Sequence, residues 1–156
     1  MMFNDPLKGL TVGDTMTREV FAVAPETTLA AVAGMFAKRR ISGAPVIDET
    51  GRPLGVVTVS DLFNPNRPTE DGKALFYRIT HHGVEPLAGR DGTVADVMSH
   101  FILSIGPESP LCDAIRLMAA DHVHRILVID NGNLVGIVST MDVMRALTGA
   151  AGRSVA

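Results

Sequence analysis

Apolar positions along this chain follow two periodicities that alternate in the same order twice. Leu29, Val32, Ala33 and Phe36 stand at i, i+3, i+4 and i+7, as do Leu111, Ala114, Ile115 and Met118, the spacing of one buried helical face. Ahead of each lies a short apolar run, residues 20–23 and 102–105, which reads as a strand. Ser109 followed by Pro110 predicts a helix start: a capping hydroxyl, then the residue that tolerates the first helical position. Two further apolar runs follow each helix. They are residues 44–48 and 54–59 around Glu49-Thr50-Gly51, then 125–130 and 134–139 around Asn131-Gly132-Asn133. Asn-Gly between such runs is the strongest short hairpin signal. A last helix is expected from near Asp61 and again from near Asp142, where an acidic side chain suits the positive helix end. Gly149 is a plausible stop for the second of these. Each half therefore predicts strand–helix–strand–strand–helix.

The two halves are a repeat. Val12, Asp14 and Met16 return as Val94, Asp96 and Met98, Pro25-Glu26 and Leu29 as Pro107-Glu108 and Leu111, and residues 46–48 as 128–130, all at an offset of 82. Gly55 and Asp61 return as Gly136 and Asp142 at an offset of 81. Two copies argue against a solenoid and for a pair that buries its apolar faces. The expected division is a repeat over 10–63, a connecting segment over 64–93, a second repeat over 94–148 and a tail over 149–156. Breakers crowd the connecting segment: Asn64-Pro65-Asn66-Arg67-Pro68, Asp71-Gly72 and Gly89-Arg90-Asp91-Gly92. Residues 74–79 between them suit a strand or part of a helix, and the whole reads as a surface loop, or else a lid or partner contact.

With 46% apolar and 20% charged residues in 156, the chain suits a globular protein with a core. A net charge of −3 gives the chain as a whole no reason to bind nucleic acid or an anionic membrane. No apolar run approaches the roughly 20 residues that span a bilayer, and the first residues lack a secretory pattern. Cys112 has no second cysteine to pair with, which fits a reducing compartment, and a cytoplasmic location is the expectation.

Two loops carry the candidate chemistry, Gly55-Val56-Val57-Thr58-Val59-Ser60-Asp61 and Gly136-Ile137-Val138-Ser139-Thr140-Met141-Asp142. Each is glycine, two apolar residues, a hydroxyl, two spacers and an aspartate. A hydroxyl beside backbone N–H groups at a helix start suits phosphate or ribose oxygens. The aspartate suits both ribose hydroxyls, and the glycine permits close approach of a ligand. A single such loop reads more simply as a helix cap; two at the same place in a repeat favour a ligand.

These loops, with Met16-Thr17 and Met98-Ser99, Pro25 and Pro107, and the strands at 44–48 and 126–130, resemble the CBS domain family, named for a regulatory region of cystathionine β-synthase. The resemblance covers residues 10–63 and 92–148. It implies an α/β (α+β) fold of two CBS repeats packed about a pseudo-twofold axis, with two clefts for adenosine derivatives, and it implies dimerisation. Carried over, one cleft uses Thr58 and Asp61 with Ile102, Val123, His124 and Arg125, and residues 123–130 are similar to a phosphate-contacting strand of the gamma subunit of AMP-activated protein kinase. Arg125 suits charge-assisted bonds to phosphate, with His124 as a further donor. The other cleft uses Ser139 and Asp142 with Thr17, Val20, Ser42, Gly43 and Ala44. Lacking a basic pair at Ser42-Gly43, it is expected to take less phosphate or stay empty, unless Lys38, Arg39 and Arg40 compensate; a solvated helix end is the simpler reading of that trio.

His81-His82 and His122-x-His124 lack a third ligand at zinc-like spacing, and Cys112 sits inside a helical apolar pattern, so neither metal binding nor nucleophilic catalysis is expected. Two readings from different classes remain. One is a non-enzymatic sensor of an adenine nucleotide (AMP, ADP or ATP) or of S-adenosylmethionine or NADH, acting on a protein partner or through a homodimer. The other is a ligand-free interaction scaffold of the same fold.

Overall fold

The helix-start signals and the glycines together decide how this chain folds. The computed structural model describes residues 5–63, 77–80, 83–86 and 92–149. The elements in chain order are α1 (Val12–Thr15), α2 (Leu29–Arg39), β1 (Gly43–Ile47), β2 (Pro53–Thr58), α3 (Val59–Phe63), β3 (Tyr77–Thr80), β4 (Gly83–Pro86), α4 (Val94–Val97), β5 (Ser104–Ile105), α5 (Leu111–Asp121), β6 (Arg125–Asp130), β7 (Asn133–Ser139) and α6 (Thr140–Leu147). They form two compact units that do not follow the sequence repeats. The unit central in sequence spans 21–102, and the terminal unit joins 1–20 to 103–156. The lead-in residues of each repeat thus fold with the body of the other.

In the central unit, α2 lays Leu29, Val32, Ala33 and Phe36 against Ala44, Val46 and Val57 of the antiparallel β1–β2 hairpin, and Val94, Val97 and Met98 complete that core. In the terminal unit, Leu111, Ala114 and Met118 of α5 meet Ile126, Val128 and Val138 of β6–β7, and Val12 and Met16 fill the matching place. The same three backbone bonds tie down each lead-in. Val12, Gly13 and Leu111 donate to the carbonyls of Ser109, Pro107 and Leu10 at 2.8, 2.8 and 2.9 Å, and Val94, Ala95 and Leu29 donate to Thr27, Pro25 and Gly92 at 2.8, 3.0 and 3.0 Å. Behind each lead-in helix the chain pairs with the last strand. Thr17 and Ile137 exchange bonds of 2.8 and 2.9 Å, and Ser99 and Val56 exchange two of 2.9 Å.

Several details differ from the sequence expectation. Lead-in helices α1 and α4 form where none was expected. The strand expected at 102–105 shortens to Ser104–Ile105, pairing parallel with β6, and that expected at 20–23 shrinks to one bridge between Val23 and Val46. Proline explains the difference. Leu127 N–H donates to Leu103 O at 3.2 Å, but the matching residue in the first repeat is Pro45, which has no N–H to give. Helix α5 begins one residue later than Ser109-Pro110 suggested: Pro110 is its N-cap and supplies no side-chain bond. Within the connecting segment, Tyr77–Thr80 and Gly83–Pro86 pair as an antiparallel hairpin, so the strand alternative holds there; the rest of 64–91 lies outside the described residues. The Asn131-Gly132 turn has both φ values positive, 50° and 81°, as an I′ turn requires. Among the described residues no helix is long and apolar enough to cross a membrane.

The loop glycines Gly55 and Gly136 are needed by the fold itself, a use the sequence reading did not include. A Cβ on Gly55 would collide with Ser99 O, and one on Gly136 would meet Met16 Sδ at 2.7 Å and Thr17 O at 2.9 Å. Gly55→Ala or Gly136→Ala should therefore cost at least about 2 kcal/mol in urea unfolding. Gly34→Ala, in α2 with nothing within 4 Å of the added carbon, should instead stabilise by about 0.5–1 kcal/mol. Equal effects at all three positions would refute this account.

A pH dependence follows from α1. The backbone N–H of Thr11, then its hydroxyl, and Arg18 more weakly, hold the Asp14 carboxyl below its usual range against slight desolvation. A depressed carboxyl adds stability above its unfolded value, about 3.9, and loses it as pH falls through the lower folded value. Asp14→Asn should thus melt below wild type at about pH 6, and the gap should close as the pH is taken well under 4. A gap constant from pH 6 to about pH 2 would show that this cap does not titrate.

Candidate functional site

Among the described residues, four copies of one local device occur, a Ser or Thr followed three residues later by Asp at a helix start. The backbone N–H of the first residue donates to Oδ2 of the aspartate at 2.8 Å for Thr11–Asp14, 2.8 Å for Thr58–Asp61, 2.7 Å for Thr93–Asp96 and 2.8 Å for Ser139–Asp142. This is the capping box, with aspartate in the usual Glu position. Thr11–Asp14 and Thr93–Asp96 are caps of the four-residue lead-in helices, so the box geometry alone identifies no ligand site. The Thr58 and Ser139 hydroxyls are engaged as well, donating to their aspartates at 3.0 and 2.9 Å.

Convergence distinguishes the Ser139–Asp142 loop. Asp142 is the one charged residue that is buried among those described, at 6% exposure. Its Oδ1 accepts from Thr17 Oγ1 at 3.4 Å, and the Arg145 guanidinium lies 3.4 Å from the same oxygen. Thr17 is brought there by the pairing with Ile137, across from the glycine that lets the two backbones meet. The start of β6 closes another side, because Thr140 N–H donates to His124 O at 3.0 Å and Arg125 pairs with Ser139. His124 and Arg125 are exposed, and Val123 packs partly on the core.

The central unit repeats the arrangement around the half-buried Asp61. Val59 N–H donates to Ser42 O at 2.9 Å, Gly43 pairs with Thr58, and Ser99 pairs with Val56. Ser99 is a site candidate that sequence reasoning left out, although the offset of 82 from Thr17 points straight to it. Ala44 is buried in the core, so its side chain faces the protein interior. Of the residues carried over by resemblance, Thr17, Val20, Val123, His124, Arg125, Ser139 and Asp142 belong to the terminal unit, and Ser42, Gly43, Ala44, Thr58, Asp61 and Ile102 to the central one. Within the basic trio, Arg39 lies 4.2 Å above the Phe21 ring and Arg40 is the left-handed C-cap of α2. His81 and His82 lie outside the described residues.

One substitution pair explains how the copies differ. Opposite Thr58 stands Gly43, whose Cβ would meet Thr58 Cγ2 and Val57 O, each at 3.2 Å; opposite Ser139, which lacks that methyl, stands Arg125. Gly43→Ala should cost about 1–2 kcal/mol, and adding Thr58→Ser should recover part of it, as read by a double-mutant unfolding cycle. Strict additivity would show that the methyl is not what excludes a side chain.

Comparison with known proteins places these features. The family model described as CBS domain matches residues 12–64 and 94–149. The chain is 34% identical over 133 residues to CBS domain-containing protein YhcV of Bacillus subtilis, covering 84% of this chain and 81% of that one. It is 27% identical to an uncharacterized protein, MJ1232, of Methanocaldococcus jannaschii, over 92% of this chain but only 41% of that protein's length. Among solved structures, CBSX2 in complex with AMP superposes with a TM-score of 0.72 at 26% identity, covering 90% of this chain and 98% of that one. The CBS domain pair of protein MJ0100, solved with 5′-methylthioadenosine and S-adenosyl-L-methionine, superposes at 0.65 with 18% identity over 90% and 97%, a likeness of fold. With both repeats matched and the α+β fold shared, this chain belongs to the CBS domain family as a tandem pair.

Proposed function

We propose that this CBS pair is a regulatory sensor of an adenosine-containing ligand and performs no chemistry of its own. The observation that carries the reading is Asp142. It is a buried carboxylate whose Oδ1 faces only long contacts, whereas Oδ2 is held by the cap. A vicinal diol suits such a carboxylate, because two hydroxyls replace weak donors with good ones and no buried charge is left unpaired. Asp61, hydrogen-bonded by Thr58 in a loop whose strand pairs with Ser99 through Val56, is the corresponding group of the central unit.

Charge favours a phosphorylated ligand. Arg125 and His124 are exposed at the start of β6, next to a hydroxyl loop, and a guanidinium is suited to bidentate phosphate contact. The likeness to CBSX2, whose structure holds AMP, supports the same choice. S-adenosylmethionine and NADH are the alternatives within the class. Signalling proceeds through a protein partner or a homodimer, and coupling requires the ligand to favour one of two states.

Thermal unfolding with adenosine, AMP, ADP, ATP, S-adenosylmethionine and NADH tests the reading. A ligand at about 100 times its dissociation constant adds roughly 2.7 kcal/mol to the folded state. The shift, measured against each variant's own baseline, should vanish in Asp61→Asn or Asp142→Asn. Arg125→Ala should weaken AMP about tenfold or more while leaving adenosine nearly unchanged. Equal losses for both ligands would refute the phosphate assignment. Absence of any shift would favour the scaffold reading.

A further inference from the structure

The two hydroxyl–Asp loops differ three residues beyond the aspartate. There the second repeat carries Arg145, and the matching position of the first is Asn64, which is uncharged. Arg145 stands one turn along α6, with its side chain 51% exposed, and pairs with the 6% exposed Asp142. The two carboxylate oxygens are held unequally. Oδ2 accepts from Ser139 N–H at 2.8 Å and from the Ser139 hydroxyl at 2.9 Å, both short. Oδ1 accepts from Thr17 Oγ1 and Arg145 NH1, each at 3.4 Å, the long limit for such bonds. Oδ1 is therefore the oxygen whose protein donors give way.

We infer that Arg145 is an ionic latch on Asp142: it competes with a ligand's hydroxyls for Oδ1 and lowers the affinity of this loop for neutral nucleosides. This rests on the reading of Asp142 as a ribose-binding group. Closed, the latch keeps a buried carboxylate paired when no ligand is present, which an isolated charge at that depth requires. Opening is easy on one side only, because the guanidinium is half in water and rehydrates, whereas the carboxylate must gain a replacement donor. A diol supplies one.

The latch has a signature that a merely structural arginine lacks. Salt screens the exposed half of the pair, so adenosine, which carries no charge, should bind this loop more tightly as salt rises. The dependence would have the opposite sign to that of a site dominated by phosphate contacts. The first repeat, with Asn64 in the matching position, should show no such trend.

Calorimetric titration of the full chain with adenosine, at about 20 and about 500 mM NaCl, tests this with four proteins: wild type, Arg145→Ala, Arg145→Lys and Asp142→Asn. Arg145→Ala should bind about two- to fivefold more tightly at low salt, the worth of one partly exposed ion pair, and should lose the salt dependence. Arg145→Lys should restore both. Binding by Arg145→Ala where wild type shows none would be the strongest support. Equal or weaker binding by Arg145→Ala, with Asp142→Asn abolishing binding, would overturn the latch and leave the ribose assignment intact. Binding untouched by Asp142→Asn, or absent in wild type and Arg145→Ala alike, would overturn the ribose assignment of this loop and the latch with it.

Discussion

The backbone pairing of each lead-in segment with the last strand of the opposite repeat is the constraint on which the rest of the structure depends. Thr17 with Ile137 and Ser99 with Val56 each exchange two hydrogen bonds across a glycine that leaves no room for a Cβ. A strand edge that accepts a neighbour so closely satisfies backbone groups that would otherwise be stranded near a core. It also carries Met16 and Met98 into the two cores, and it delivers Thr17 to the aspartate of its loop. Fold and candidate site are consequences of one contact made twice.

From that shared plan the two units have diverged by small steric exchanges. The threonine methyl at residue 58 crowds the space beside Gly43, whereas Ser139, which lacks that methyl, stands opposite Arg125. Proline at residue 45 removes one strand bond that Leu127 retains. Arg145 adds a charge to one loop and not to the other. Each is a single-residue change whose reach is limited to hydrogen-bonding distance, so the units keep one architecture while their polar surfaces separate.

Much of this was legible in the residues. The helical spacing at 29–36 and 111–118, the Asn131-Gly132 turn and the repeat offset all mark real elements, because local rules govern them. The exchange of lead-in segments was legible only through the family resemblance, which put Thr17 with Asp142. The residues themselves do not give it, because it is a long-range pairing, and the glycines that permit it look the same as glycines that admit a ligand. The first strands were overestimated because an apolar run does not reveal that Pro45 lacks the needed donor. Ser99 was within reach from the offset alone, whereas Arg145 reads as an ordinary basic residue near a helix end until its partner is seen. Capping and ligand binding call for the same residue types, and only burial and the arrival of Thr17 separate Asp142 from Asp14.

The exchanged lead-ins also set an order of events during synthesis. The central unit is continuous, residues 21–102, and is complete once that stretch has left the ribosome. The terminal unit is not, because Thr17 emerges 120 residues ahead of Ile137, the residue it pairs with. Throughout that interval Val12 and Met16 have no core to enter. Loop closure over so long a separation is slow and leaves apolar surface exposed meanwhile. The nascent segment from Val12 to Thr17 is thus the stretch most in need of protection from wrong partners.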